Sequence, residues 1–243
     1  MDQEQLDAAR AAIAAAKRCV VLTGAGMSAE SGVPTFRDAQ TGLWSRFDPM
    51  RLASVEGFCA DPALVWRWYA ERREGLKRAA PHAGHRALPV LAQRFERFTL
   101  VTQNVDGLHV RAGSRNVLEL HGNILRSRCF EDCGVSFDDP AELPPGEPPA
   151  CPQCGAWLRP DVVWFGELLD PAVLQAAEEA AEACDLMLVV GTSGMVYPAA
   201  GLPEIARRRG AKVIVINPNP SDLDDIAHIV IPATAGTALP ALL

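Results

Sequence analysis

Short apolar runs alternate along the chain with segments of helical periodicity. The runs lie at 19–23, 98–102, 161–165, 185–191, 212–217 and 228–231. Their near-continuous Val, Ile and Leu content predicts strands that are buried on both faces, as in a parallel sheet. The helical patterns lie at about 2–17, 62–78, 82–95, 171–183 and 198–209. This alternation predicts an α/β fold with a doubly wound, Rossmann-type parallel sheet.

Two stretches interrupt the alternation. Residues 45–90 show only helical patterns, and residues 123–160 are rich in Pro, Gly, Cys and acidic residues. We interpret both as insertions that together form a smaller second lobe. The Rossmann-type domain is then built from residues 1–44, 91–122 and 161–243.

Composition narrows the class of protein. The 243 residues are 49% hydrophobic and 22% charged, with a net charge of −7. This is typical of a globular protein, and without a long basic run a nucleic-acid partner is not expected. No apolar segment is long enough to span a membrane. The N-terminus lacks the basic region of a signal peptide, so we expect a cytoplasmic protein whose cysteines are thiols or metal ligands.

Four of the seven cysteines form two close pairs, in "CFEDC" and "CPQC". Thiolates in two short-spaced pairs suit one tetrahedral zinc ion. The ligands would be Cys129, Cys133, Cys151 and Cys154. A site closed by four protein ligands has no open position, so its role should be structural.

A glycine-rich turn follows the first predicted strand. Gly24, Gly26 and Ala29 match the dinucleotide pattern in its usual place, between a strand and a helix. A plain dehydrogenase would show a second strand ending in an acid about 20 residues later, but that region is a loop. Ribose or phosphate contacts are instead expected from the turns "VGTS" and "INPN", through the hydroxyls of Thr192 and Ser193 and the amides of Asn217 and Asn219.

Polar side chains concentrate where the strand at 98–102 ends. "TQNVDGLH" brings Gln103, Asn104, Asp106 and His109, and "LHGN" adds His121. Such groups are costly to desolvate without a purpose. His121 is the best candidate for a general base, because an unperturbed imidazole has a pKa of about 6.5.

Six motifs in this order, "GAGMSAESGVPTFR", "TQNVDGLH", "LHGN", "VVWFGE", "GTS" and "NPN", resemble the sirtuins. These are NAD-dependent protein-lysine deacylases with a Rossmann-type domain and a small helical and zinc-binding lobe. The resemblance implies that NAD is the co-substrate, that one zinc ion is structural, and that acyl-lysine proteins or peptides are substrates.

The resemblance also implies residue roles. His121 would activate a ribose hydroxyl, Asn104 would organise the nicotinamide ribose and a water, and Asp106 would meet the nicotinamide amide. The other residues implied in NAD binding are Gly24, Ala25, Gly26, Ser28, Ala29, Phe36, Arg37, Gln103, Val105, Gly191, Thr192, Ser193, Asn217, Pro218, Asn219 and Ala235.

The acyl group is implied by a second resemblance, to sirtuins that remove succinyl, malonyl and glutaryl groups. Tyr69 and Arg72 match a Tyr-x-x-Arg pair that grips the distal carboxylate, and Ala53 matches a small residue that leaves the pocket roomy. Helical spacing alone does not choose between Arg72 and Arg73. Acetyl-lysine should also be accepted. The strand that pairs with the substrate peptide would comprise Val162, Val163, Trp164, Phe165 and Gly166.

Two other functions use the same fold. One is a protein ADP-ribosyltransferase, which also cleaves NAD, and the other is a non-enzymatic module that senses NAD or ADP-ribose. The combination of His121, Asn104 and Asp106 argues against the sensor. We therefore expect a deacylase that releases nicotinamide, O-acyl-ADP-ribose and free lysine.

Overall fold

Strands and helices alternate over most of the chain, of which the computed structural model describes residues 2–34, 49–138 and 146–243. Within these ranges the strands are β1 (Arg18–Thr23), β2 (Arg97–Thr102), β3 (Val117–Glu119), β4 (Gly122–Cys129), β5 (Ser136–Asp138), β6 (Leu158–Val162), β7 (Leu186–Val190), β8 (Lys212–Ile216) and β9 (Ile229–Ile231). The helices are α1 (Gln3–Ala15), α2 (Pro49–Leu52), α3 (Val55–Ala60), α4 (Pro62–Arg78), α5 (Ala83–Ala92), α6 (Leu108–Arg111), α7 (Pro171–Ala183), α8 (Leu202–Arg208) and α9 (Ala235–Ala241).

Six of these strands form a parallel sheet in the order β3-β2-β1-β7-β8-β9. The chain first fills one side of β1 and then the other, so the direction of winding reverses between β1 and β7. This confirms the predicted doubly wound sheet. Ligands of such sheets bind at the reversal point, beyond the carboxyl ends of the strands.

Both faces of the sheet are covered by helices. Val21 and Leu188 pack with α1, α5 and α9, whereas their neighbours Leu22 and Val189 pack with α7 and α8. Successive strand side chains point to opposite faces, which explains why the runs are apolar throughout. Burying each such side chain stabilises the fold by about 1.5–3 kcal/mol.

A smaller lobe contains an antiparallel sheet in the order β5-β4-β6 together with α2, α3 and α4. Helix α4 starts at Pro62. The preceding residue, Asp61, caps this helix by accepting a hydrogen bond from the Leu64 N–H at 2.9 Å. The core between helices and sheet includes Leu52, Phe58, Trp68, Tyr69, Ile124 and Trp164. The division of the chain into domain segments stays a prediction.

The apolar run at 161–165 was expected in the parallel sheet, and this prediction is wrong. Its first residues end β6, which pairs antiparallel with β4, and Trp164 is buried in the core of the small lobe. Val162 and Trp164 are buried, whereas Val163 is only partly buried and Phe165 is exposed, so the run has the composition of a fully buried strand but not its environment. The other five runs are strands of the parallel sheet.

Three further local features differ from the sequence prediction. The turn after β1 continues into two 3₁₀ turns, Ala25–Met27 and Ala29–Ser31, and not into an α-helix. The segment 123–160 holds most of β4 and all of β5, although no strand was predicted within it. The helix expected at 198–209 starts as a 3₁₀ turn before α8. Among the described helices, none is long and apolar enough to cross a membrane.

Candidate active site

The glycine-rich turn after β1 packs directly on the turn after β7. Gly26 N–H donates to the Gly191 carbonyl at 2.8 Å. A Cβ on Gly24 would lie 2.7 Å from the Thr192 Cβ, and a Cβ on Gly26 would lie 2.9 Å from the Gly191 backbone. Gly24 and Gly26 are therefore required because the turns after β1 and β7 approach each other too closely for a side chain at either position. The contact joins the two turns at the reversal point of the sheet.

The other predicted turns join the same place. Asn217, after β8, donates from Nδ2 to the Thr192 carbonyl at 3.1 Å. Gln103, after β2, donates from Nε2 to the Thr192 hydroxyl at 3.1 Å. Ala235 begins α9, and the next N–H, from Gly236, donates to the Glu30 carboxylate at 2.6 Å. Glu30 was missed because it shows no pattern of its own in the sequence.

Ser28, Asn104 and Asp106 form one buried hydrogen-bonded group. The Ser28 hydroxyl donates to Asp106 Oδ2 at 2.7 Å and accepts from Asn104 Nδ2 at 3.1 Å. Asp106 Oδ1 accepts from the Leu108 N–H at 2.8 Å. Burial raises the pKa of Asp106, while its bonds to Ser28 and Leu108 act in the opposite direction. The three side chains are thus fixed before any ligand arrives.

Three histidines surround this group, and two of them were missed. His85 Nε2 lies 3.4 Å from the Ser28 hydroxyl, and its ring lies 4.3 Å from that of His82 and 5.1 Å from that of His109. Burial lowers the pKa of His85 to about 3 and that of His109 to about 4, so both rings are neutral at neutral pH. The two histidines that the sequence prediction missed, His82 and His85, both lie in the segment "PHAGH".

His121 lies between the parallel sheet and the small lobe. Its Nδ1 is 3.0 Å from the Gln103 carbonyl oxygen, which only accepts, so Nδ1 carries the proton of the neutral ring. Nε2 then holds the lone pair, and burial lowers the pKa of the ring. Gly122 follows at φ +78°, where an added Cβ would lie 2.2 Å from the Asp161 carbonyl oxygen. The glycine of "LHGN" therefore allows β4 to start beside β6.

Ala53, Tyr69, Trp164 and Phe165, which belong to the predicted acyl and peptide site, lie together in the small lobe. Trp164 Nε1–H donates to the Tyr69 hydroxyl at 3.0 Å, and Phe165 N–H donates to the Ala53 carbonyl at 2.8 Å. Tyr69 is buried, and this raises its pKa. A phenol held in this way stays protonated at neutral pH.

Arg72 lies beside Tyr69 on the same helix. Its guanidinium carbon is 4.6 Å from the centre of the Trp68 ring and 5.7 Å from that of the Tyr69 ring. Desolvation lowers the pKa of Arg72, but a guanidinium remains charged in proteins. The site therefore combines a phenol and a permanent cation in an apolar wall.

Arg73 points in a different direction. It is buried, and its Nε donates to the Ile124 carbonyl at 2.7 Å while Nη2 donates to the Ser127 hydroxyl at 3.3 Å. These partners lie where the β4–β6 pairing changes register, between Asn123 and Ser127. Arg73 therefore attaches α4 to the irregular part of β4, whereas the Arg72 guanidinium lies beside the Tyr69 ring.

The four predicted cysteine ligands also meet. Their Sγ atoms all lie within 4.8 Å of one another, with Cys129 and Cys154 at 3.4 Å and Cys133 and Cys151 at 3.5 Å. A tetrahedral zinc ion with Zn–S bonds of about 2.3 Å places its sulfurs about 3.8 Å apart. The cluster fits one structural zinc ion.

Phe36 and Arg37, which were predicted to contact NAD, lie outside the described residues. The remaining predicted residues fall into three groups: the strand ends of the parallel sheet, the acyl wall of the small lobe, and the cysteine cluster. A polar site at the reversal point of a doubly wound sheet, beside a lobe with four clustered cysteines that could hold one zinc ion, is typical of a nucleotide-binding α/β protein.

Comparison with known proteins gives the family. A model of the Sir2 family matches residues 24–198. An NAD-dependent protein deacylase of Ralstonia nicotianae is 57% identical over 235 residues, which cover 97% of this chain and 94% of the relative. The chain belongs to the Sir2 family.

Solved structures agree with this assignment. A Sir2 homologue in complex with NAD superimposes with a TM-score of 0.91 at 45% identity, covering all of this chain and 92% of the other. A mutant Sir2 with a deacetylated p53 peptide and 3′-O-acetyl ADP-ribose gives a TM-score of 0.86 at 31% identity, covering 98% of this chain and 96% of the other.

Proposed function

We propose that the protein removes acyl groups from protein lysines with NAD as co-substrate. The acyl groups are succinyl, malonyl and glutaryl, with acetyl as a further substrate. The products are nicotinamide, O-acyl-ADP-ribose and free lysine. Relatives described as NAD-dependent protein deacylases and a homologue bound to NAD support the reaction, and the adjacent Tyr69 and Arg72 support the class of acyl group.

NAD fits the reversal point of the parallel sheet. The turns after β1, β2, β7 and β8 are joined there by hydrogen bonds through Gly191 and Thr192. N–H groups of a glycine-rich turn bind phosphate well. The group formed by Ser28, Asn104 and Asp106 would hold the nicotinamide end, because its amide, hydroxyl and carboxylate can pair with a ribose and a carboxamide.

His121 would act as the general base. NAD supplies the ribose carbon at which the acyl oxygen displaces nicotinamide. Nε2 of His121 would then take the proton from a ribose hydroxyl as that oxygen bonds to the former acyl carbonyl carbon, because Nδ1 is already bonded to Gln103, and a water molecule would complete the release of free lysine. Neither Ser nor Cys is needed as a nucleophile, since the acyl oxygen of the substrate plays that part.

Tyr69 and Arg72 would bind the second carboxylate of a dicarboxylic acyl group. A charge-assisted hydrogen bond contributes about 1.5–3 kcal/mol. At about 1.4 kcal/mol for each factor of ten, this predicts a preference of about 10–150-fold over acetyl-lysine. The substrate peptide would pair with Val162, Val163 and the residues that follow them.

One experiment separates the proposed functions. Succinyl-lysine, malonyl-lysine and acetyl-lysine peptides are incubated with the protein and NAD, and the products are identified by mass spectrometry. We expect free lysine peptide, nicotinamide and acyl-ADP-ribose in equal amounts. An ADP-ribosylated peptide would indicate a transferase, and unchanged NAD and peptide would indicate a sensing module. Either result would contradict the proposed deacylase.

A further inference from the structure

The hydrogen bond between Trp164 and Tyr69 has a defined direction. An indole N–H can only donate, so the Tyr69 hydroxyl is the acceptor at 3.0 Å. A phenol has one proton, and this bond does not use it. The proton must therefore point away from the indole nitrogen.

The Tyr69 proton is also retained and kept from water. Tyr69 is only 3% exposed, and burial raises the pKa of its hydroxyl. Among the residues that the structure describes, the bond from Trp164 is the only hydrogen bond of this hydroxyl. A buried donor without an acceptor is unfavourable, so the site is prepared for an acceptor that arrives with the substrate.

Trp164 is held in place from its other side. The guanidinium of Arg159 lies 3.4 Å from the centre of the indole ring. Arg159 forms two bonds to the carboxylate of Glu167, at 2.5 and 2.8 Å, and the same carboxylate accepts the Trp164 backbone N–H at 2.7 Å. The indole thus has a fixed position from which it donates to Tyr69.

We propose that Trp164 is a specificity-determining positioning residue, which directs the Tyr69 O–H toward the second carboxylate of the acyl group. This inference rests on the proposed function. The Trp164 backbone belongs to the segment that is expected to pair with the substrate peptide. The Trp164 side chain would have the separate role of orienting the Tyr69 hydroxyl. Phenylalanine at this position keeps a ring over Arg159 but leaves the Tyr69 hydroxyl free to rotate.

The test is a double-mutant cycle with Trp164→Phe and Tyr69→Phe. kcat and KM are measured for one peptide carrying succinyl-lysine or acetyl-lysine, and the selectivity is the ratio of the two kcat/KM values. We expect Trp164→Phe to lower this ratio about threefold to tenfold, the equivalent of one oriented hydrogen bond. The loss should come mainly from a higher KM for the succinyl peptide.

In the Tyr69→Phe background, Trp164→Phe should leave the ratio unchanged, because no hydroxyl remains to be oriented. A residue that only fills the core would instead lower both kcat/KM values equally, and would do so in both backgrounds. Either that result or an unchanged ratio in the single variant would overturn the inference.

A second substitution covers the case in which Trp164→Phe folds poorly. Benzothienylalanine at position 164 keeps the size and shape of the indole but has sulfur in place of the N–H. It should reproduce the loss of selectivity with an unchanged thermal unfolding midpoint, and a wild-type ratio would overturn the inference. If the wild-type protein itself leaves succinyl-lysine intact, it is the proposed function that fails.

Discussion

The Gln103 carbonyl determines which nitrogen of His121 can act as a base. A carbonyl oxygen accepts only, so the proton of the neutral ring stays on Nδ1, and Nε2 is the basic atom. Burial makes the charged ring less favourable and lowers its pKa below 6.5. The His121 ring is therefore neutral throughout the neutral pH range, which is the form that the proposed role of general base requires.

This gives a prediction for the pH dependence of deacylation. Activity requires neutral His121, so it should fall only as the pH drops through the lowered pKa, with a midpoint below pH 6.5. His121→Ala should reduce kcat by about 10²–10⁴-fold, the usual contribution of a general base. The measurement is kcat against pH between 5 and 9 for both proteins.

Two controls accompany this prediction. His121→Ala should still exchange labelled nicotinamide into NAD, because nicotinamide leaves before the base acts, and this shows that the variant is folded. His228→Gln changes a histidine in the β8–β9 connection and should leave the profile unaltered. An acid limb centred above pH 7, or full activity without His121, would contradict the assigned role.

The sequence predicts residues of this site where their chemistry shows in a local pattern. His121 stands out because it follows an apolar segment and precedes a glycine, and Asp106 lies in a polar strand end. His85 does not stand out, since it belongs to the apolar face of α5, yet its ring lies against Ser28. A histidine that reaches the site through tertiary packing has no spacing by which it can be recognised.

At the scale of elements, helix α4 carries two neighbouring arginines with different surroundings. Arg73 holds the irregular part of β4 through the Ile124 carbonyl, and the Ile124 N–H donates to the Val105 carbonyl at 2.9 Å. Arg72 lies against Trp68 and Tyr69. Successive helical residues are rotated by about 100°, so anchoring Arg73 also sets the direction of Arg72.

The two arginines form a matched pair for mutation. Arg72→Met should lower kcat/KM for succinyl-lysine about 10–150-fold and leave acetyl-lysine nearly unchanged, because an acetyl group has no carboxylate to bind. Arg73→Met should lower the free energy of unfolding by about 1–3 kcal/mol, since it leaves the Ile124 carbonyl without its buried donor. Both acyl substrates should then lose activity to a similar degree.

The measurements are steady-state kinetics on both peptides and denaturant unfolding of each variant. A selective loss of succinyl-lysine turnover in Arg73→Met would mean that this arginine also reads the carboxylate. Equal losses in Arg72→Met would mean that Arg72 supports the fold, and the acyl-group proposal would then lack its main support.

A strand could be predicted from the sequence where its pattern of apolar residues is typical of a single structural environment. The runs that became β1, β7 and β8 are buried on both faces of one sheet, and those that became β2 and β9 are at least partly buried along most of their length, so their composition identified them. β3 is only three residues long, and β4 contains two arginines, Arg126 and Arg128, which both pair with Asp161 of β6. Charge pairing between strands hides such an element from a search for apolar runs.

At the scale of the whole molecule, the two lobes meet along the chain segments that carry the site. Val163 N–H donates to the His121 carbonyl at 3.0 Å, and Phe165 N–H donates to the Ala53 carbonyl at 2.8 Å. The segment after β6 therefore lies between the base and the acyl wall. Interactions that hold β4 and β6 in place therefore also hold this segment in place. The cysteine cluster lies at the opposite end of the same sheet.

The cysteine cluster has little apolar packing of its own. Its buried core consists of Cys129, Cys151 and Leu158. A metal that binds the folded state but not the unfolded chain stabilises it by mass action. We predict one zinc ion per chain, and we expect Cys151→Ser to lose the ion and to lower the thermal unfolding midpoint by several degrees, at about 2–4 °C per kcal/mol.

The zinc prediction is checked by elemental analysis and thermal unfolding, with Cys59→Ser as the matched control. Cys59 is an exposed thiol on α3, so its replacement should leave both zinc content and stability unchanged. Because β6 leads into the segment at 163–166, loss of the ion should also lower deacylation of succinyl and acetyl peptides alike, in contrast to Arg72→Met. A wild-type protein with almost no zinc and full stability would show that the four thiols hold the lobe together without a metal.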